Sequence, residues 1–185
     1  MTRLPRTLRL DPSDQVVFTR AAEPGEWAVP GGFAFWDEDP AGMTGKRKQE
    51  FRAGFLGLAS FGWSTLVEVA EATAAEREAA VAALAAHIRA AYGAPDEAAA
   101  RAAAEEEIIF AASLCDHPPG TVLALTRSLE EGPRGQEVRE RFRTLHRRAA
   151  PHRDFGSLPV FAVVEVEGEE PVDRPDLTAL GREGG

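Results

Sequence analysis

The chain is poor in the residues that staple or anchor a protein. It holds a single cysteine, Cys115, in 185 residues. No internal disulfide can form, and one thiol cannot build a cysteine-based zinc cage. Lysine is almost missing: only Lys46 and Lys48 occur, and arginine supplies the other cationic side chains. No apolar run approaches the roughly 18 residues of a spanning helix. The opening residues alternate charged and apolar groups and lack the continuous apolar stretch of a secretory signal. A cytoplasmic protein without membrane contact is therefore expected. Cations are also in deficit, with 21 Lys and Arg against 30 Asp and Glu, a formal net charge of −9. Such a field repels phosphate backbones and argues against nucleic acid as a general partner.

What is present suits a globular core. The apolar fraction is 44% and the charged fraction 28%, close to globular averages. A chain of this size buries about 70% of its unfolded surface without needing a metal or disulfide. Residues 1–166 read as one domain. From residue 167 the chain turns acidic and rich in Gly and Pro, which predicts a loose C-terminal tail over 167–185.

Short strands are expected at 6–10 and 15–20 around the turn Asp11-Pro12-Ser13-Asp14, and at 27–29 and 33–36 around Pro30-Gly31-Gly32. Thr44 offers an N-cap to a helix over 46–55. The period-two pattern of 63–70 predicts a half-buried strand. Thr73 and Glu76 have the spacing of a capping box, opening a helix with Val81, Leu84, Ile88 and Tyr92 on one stripe and Gly93 as its stop. A second helix follows over 96–114. Its last turns, 108–115, are apolar nearly all round and so are expected to be buried on every side, with Glu105, Glu106 and Glu107 at the rim. A strand over 121–127, a loop over 130–135, a helix over 136–148 and a strand over 158–166 complete the order. Strict βαβ alternation is absent. The expected fold class is α+β: a largely antiparallel sheet of five to six strands with helices packed mainly on one face.

Four sets of residues carry possible chemistry. Gly57 and Gly62 have the spacing of a phosphate loop and Ser64 follows, but Trp63 stands at the lysine position and the segment leads into a strand. It reads as a tight strand entry. Glu105-Glu106-Glu107 with Cys115-Asp116-His117 offers metal-ligand side chains, yet no metal-binding spacing. Glu106 and His117 would lie about 15 Å apart along a helix axis. As structural residues, Cys115 is a small buried apolar group and His117 satisfies the carbonyls of a helix end. The arginines from Arg134 to Arg153, with Arg141 and Arg148 as contact candidates, could grip an acidic partner through their planar forks. Their plainer reading is a solvated helix face, with Glu137 paired to Arg141. Trp27, Phe33, Phe35 and Trp36 beside Gly31-Gly32 form an aromatic patch that either closes the sheet or binds a partner.

Three segments carry a resemblance: Arg9-Leu10-Asp11-Pro12-Ser13-Asp14, Phe61-Gly62-Trp63-Ser64-Thr65-Leu66 and Ser113-Leu114-Cys115-Asp116-His117-Pro118. Together they resemble a small family of uncharacterised proteobacterial proteins, over residues 3 to about 166. The resemblance brings no activity and no catalytic residues. It associates such proteins with gene neighbourhoods of redox enzymes and of lipoate or biotin ligases.

Two functions are carried forward. The first is an accessory or interaction protein that needs no cofactor, in one form an assembly factor for a metabolic redox enzyme. It would use Trp27, Phe33, Trp36, Arg141 and Arg148, with a homo-oligomer left open. The second is an enzyme or binding protein for a metal or small molecule, with a pocket formed by Trp63, Glu106, Cys115 and His117.

Overall fold

The computed structural model describes residues 1–147 and the strand at 163–165. In chain order the elements are β1 (Thr2–Leu8), α1 (Ser13–Val17), β2 (Ala28–Val29), a 3-10 helix (Gly32–Phe35), a second 3-10 turn (Pro40–Gly42), α2 (Gly45–Ala53), β3 (Phe55–Gly57), β4 (Trp63–Ser64), β5 (Leu66–Ala72), α3 (Ala74–Tyr92), α4 (Glu97–Ser113), β6 (Val122–Gly132), β7 (Gly135–Arg147) and β8 (Val163–Glu165). One sheet has the order β1-β5-β6-β7-β8 and a smaller one the order β2-β3-β4. Pairing within both is antiparallel. The class is α+β, as the patterning predicts. Among the described residues no helix is long and apolar enough to cross a membrane.

Local chemistry fixes the helical half. The Thr73 hydroxyl accepts from the Glu76 amide at 3.2 Å, and Glu76 accepts from the Thr73 amide at 2.8 Å, the reciprocal capping box. Gly93 ends α3 at φ +70°. Asp96 caps α4 by accepting from Ala99 N at 2.8 Å. α3 packs on α4, α4 lies against β1, and α2 lies against β6. Pro5, with no N–H to donate, sits in the edge strand β1.

The largest departure from expectation is at 136–148. Its described residues, 136–147, form no helix. They belong to β7, joined to β6 through Pro133-Arg134 and paired from Gly132↔Gly135 to Val122↔Leu145. Val138, Phe142 and Leu145 fit a helical stripe, but Val138, Glu140 and Phe142 also alternate, and the strand reading wins because β6 supplies a partner along its length. The expected loop at 130–135 shrinks to a two-residue hairpin turn, with Gly135 at φ +107°.

Other corrections are local. Residues 15–20 are not a strand: Asp11 Oδ1 accepts from Ser13 N at 2.8 Å and starts the short α1. Residues 33–36 are not a strand either, because Gly31 at φ +72° turns the chain into the 3-10 helix. The expected strand at 63–70 breaks at Thr65, whose amide and hydroxyl both bond the buried Asp14. Phe55 belongs to β3 and not to the preceding helix. The end of α4 is buried on one side only: Ile108, Ala111, Leu114 and Cys115 are covered while Ile109 is 60% exposed. Glu107 faces inward instead of lining the rim. Of the strand expected at 158–166, only Val163–Glu165 is described. The rest of it, and the tail expected at 167–185, lie outside the described residues.

The inner face of β6 presents Leu123, Leu125 and then Arg127, all buried. Arg127 Nε donates to Glu140 Oε1 at 2.6 Å. Its Nη1 donates to the carbonyls of Phe51 (3.0 Å) and Gly54 (3.2 Å), and Nη2 to that of Pro30. An Arg127→Ala variant deprives the buried Glu140 of its guanidinium and three carbonyls of their donor. Removing one partner of a buried pair costs about 3–5 kcal/mol. Urea unfolding of this variant is expected to show that loss. Arg101→Ala, which breaks an exposed pair with Glu78, is expected to cost less than about 1 kcal/mol.

Candidate functional site

Three elements converge on one aromatic cluster. The 3-10 helix supplies Phe33, the β3–β4 hairpin supplies Phe61, and α3 supplies His87 and Tyr92. Phe61 stacks on His87 with centroids 3.7 Å apart and planes 8° from parallel. His87 meets Tyr92 at 5.5 Å and Tyr92 meets Phe33 edge-on at 5.2 Å. All four rings are half-buried. Trp36, which ends the 3-10 helix, is 51% exposed.

The hairpin that carries Phe61 is held by an internal anion. Glu26 Oε2 accepts from the amides of Ala59 (2.9 Å) and Ser60 (2.8 Å), and Oε1 from that of Glu23. Burial pushes the Glu26 carboxyl up, but the hydrogen bonds from Ser60, Ala59 and Glu23 outweigh it and leave the pKa below its ordinary value. The segment whose glycine spacing mimics a phosphate loop thus does cradle an oxyanion, supplied by the chain itself. Phe61 takes a left-handed φ of +52°, which is costly for an aromatic residue. A side chain at Gly62 would collide with the Ala21 backbone at 2.6 Å.

A charged network borders the rings. Arg47 donates to Glu38, to Glu50 Oε2 (3.1 Å) and to the Ala34 carbonyl (2.9 Å), and lies over the Phe35 ring at 4.2 Å. Burial raises the Tyr92 pKa. Arg47 opposes that shift, and Glu38, Asp37 and Glu50 add to it. The aromatic and acidic groups therefore share one surface.

The residues expected to form a pocket are separated. Trp63 is buried in one apolar cluster, packed on Phe35 at 5.2 Å. Cys115 is buried in the other cluster. Glu106 is exposed and His117 is half-buried, its carbonyl accepting from Arg3 at 3.0 Å. Burial pushes the Cys115 thiol up to about 12. Among the described residues no group of three His, Cys, Asp or Glu side chains could hold a metal. Of the expected contact residues, Phe33 and Trp36 belong to the aromatic surface. Trp27 is half-buried and covered by Arg6 at 4.5 Å. Arg141 pairs with Glu130, as does Arg139 at 3.3 Å, on a strand and not on a helix. Arg148 lies outside the described residues. A small pocket of about 130 Å³ near Leu8, Leu10, Asp11 and Asp14 has its acids already committed, to Ser13 and Thr65.

The sequence marks Tyr92 only as a core-stripe residue and Phe61 only within a resemblance segment, and it singles out neither these two nor His87 and Arg127 as functional residues. Arg127 left a signal, as the one charge on the Leu123–Leu125 alternation. Phe61 and His87 left none, since their stacking joins residues on separate elements.

A family model described as a family of unknown function (DUF6505) matches residues 1–164. No curated protein and no solved structure matches the chain.

Two measurements probe this region. Burial lowers His87 from its ordinary 6.5. The unfolded chain then binds a proton near 6.5 while the folded chain resists it, so stability is kept above that value and falls as pH drops toward the folded pKa. His87→Phe is expected to flatten this part of the acid-side loss, read as denaturation midpoints at about pH 7.5 and 5.5. Cys115 is expected to stay inert to a thiol-reactive dye at about pH 8 in the native protein and to react fully once denatured.

Proposed function

Since the chain belongs to that family of unknown function, we propose a role from its surface: it is an accessory protein that works by binding another protein. The docking face is the aromatic surface around Trp36, Phe33, Tyr92 and Phe61. The observation that carries this is Trp36 itself, 51% exposed at the end of the 3-10 helix that supplies Phe33 to the aromatic cluster. An open indole costs little to order and gains much when covered, which is why Trp is enriched among residues that dominate interface energies. Phe33, Tyr92, His87 and Phe61 hold one another in series and Arg47 covers the neighbouring Phe35, so this region is formed before a partner arrives. A cytoplasmic assembly factor for a metabolic redox enzyme is the form of this role that the family resemblance favours.

The test is affinity capture from the native host with the wild-type chain and with Trp36→Ala. A partner retained by the wild type is expected to be lost or weakened at least about tenfold by the variant, equivalent to ~1.4 kcal/mol. The variant's melting temperature is expected to stay within a few degrees of wild type, because Trp36 contributes little to the core. Equal capture by both chains would refute the docking face.

A further inference from the structure

We propose that the segment docking on Trp36 is basic: a stretch of protein that lays an Arg or Lys side chain across the indole and against Asp37 and Asp39. This rests on the protein-binding reading above and names the chemistry of the partner.

The three tryptophans occupy three different states. Trp63 is buried. Trp27 is roofed by the Arg6 guanidinium, 4.5 Å from its ring centroid. Phe35 is similarly covered by Arg47 at 4.2 Å. Among the described residues Trp36 has no such cation, although it is the most exposed of the three. A guanidinium or ammonium over an indole face is favourable because the ring quadrupole is negative there.

The chain continues from Trp36 into Asp37, Glu38 and Asp39. Glu38 is engaged by Arg47. Asp37 and Asp39 are exposed, and among the described residues neither has an ion-pair partner. One oxygen of Asp39 accepts from Ala41 N at 3.0 Å and holds that carboxylate at the start of the second 3-10 turn, three residues after Trp36. An open indole followed in the chain by two exposed carboxylates that have no ion pair among the described residues favours a cation and disfavours an acidic segment. Rim charges of this kind act on partner choice and on encounter rate, and they weaken with salt.

The experiment uses the full chain, 15N-labelled, titrated with the peptide acetyl-Arg-Leu-Arg-Leu-Arg-amide and with its counterpart carrying Glu for Arg. Shifts from the basic peptide are expected to concentrate on the Trp36 indole N–H and the amides of 37–39, with none there from the acidic peptide. Asp37→Asn with Asp39→Asn, which keeps the Ala41 acceptor, is expected to weaken binding about fivefold at low salt. Glu71→Gln, an exposed carboxylate on β5, is expected to leave it unchanged. Shifts scattered over the acidic surface, or equal weakening by Glu71→Gln, would overturn the proposal. Capture of the native partner separates the two readings. If Trp36→Ala loses the partner but the double Asn variant holds it as wild type does, the docking face stands and its basic specificity falls. If Trp36→Ala keeps the partner, both fall.

Discussion

A single buried guanidinium joins the parts of this fold. Arg127 is 1% exposed on the inner face of β6, where Leu123 and Leu125 precede it. Burying a charge is costly unless it is paired and its donors are filled. Here Glu140 on the neighbouring β7 supplies the countercharge, and the carbonyls of Phe51, Gly54 and Pro30 accept from the two Nη groups. Two of those carbonyls close the C-terminal end of α2, where unsatisfied acceptors and the negative end of the helix dipole favour a cation. The third belongs to the residue before Gly31. Arg127 thereby ties the large sheet to the segment that carries the candidate docking face.

That tie reaches the surface in a few steps. Pro30 is held by Arg127, Gly31 turns the chain at φ +72°, and the 3-10 helix begins. A side chain at Gly31 would meet Leu56 Cβ at 2.8 Å, so the turn needs glycine both for its dihedral and for its space. Phe35 then packs among Phe51, Trp63 and the two guanidiniums of Arg47 and Arg127. With Phe35 fixed inside, Phe33 and Trp36 on either side of it emerge at the surface. The opposite wall is set by Glu26, whose carboxylate fills the hairpin and turns Phe61 onto His87.

Legibility in the sequence followed the range of the interaction. The capping box at Thr73, the glycine stop at Gly93 and the Asp96 cap are local rules, and α3 and α4 stand where those rules put them. β7 failed because Val138, Phe142 and Leu145 satisfy a helical spacing as well as a hairpin, and only the partner strand decides between them. α1 and the 3-10 helix failed because one carboxylate turn and one left-handed glycine override short β-like runs. Phe33 and Trp36 were legible as an aromatic patch by composition. Their partners Phe61, His87 and Tyr92 were not, since they are 28 to 59 positions further along the chain than Phe33.

The same distribution of constraints explains why the surface suits recognition more than chemistry. Among the described residues several groups able to do acid–base or nucleophilic work serve the architecture: Glu26 holds a hairpin, Asp14 holds Thr65, Glu140 neutralises Arg127, and the Cys115 thiol is buried with its pKa pushed up to about 12. What remains open at Trp36 is apolar ring surface next to carboxylates. Its backbone follows the anchored Phe35, and Asp39 is held by the second 3-10 turn, so under the proposed role a partner would meet a largely preformed site and ordering costs on this side stay small. A rigid aromatic face with fixed charges beside it discriminates by complementarity. The buried arginine that stabilises the fold is thus also what ties down the segment leading into the proposed docking face.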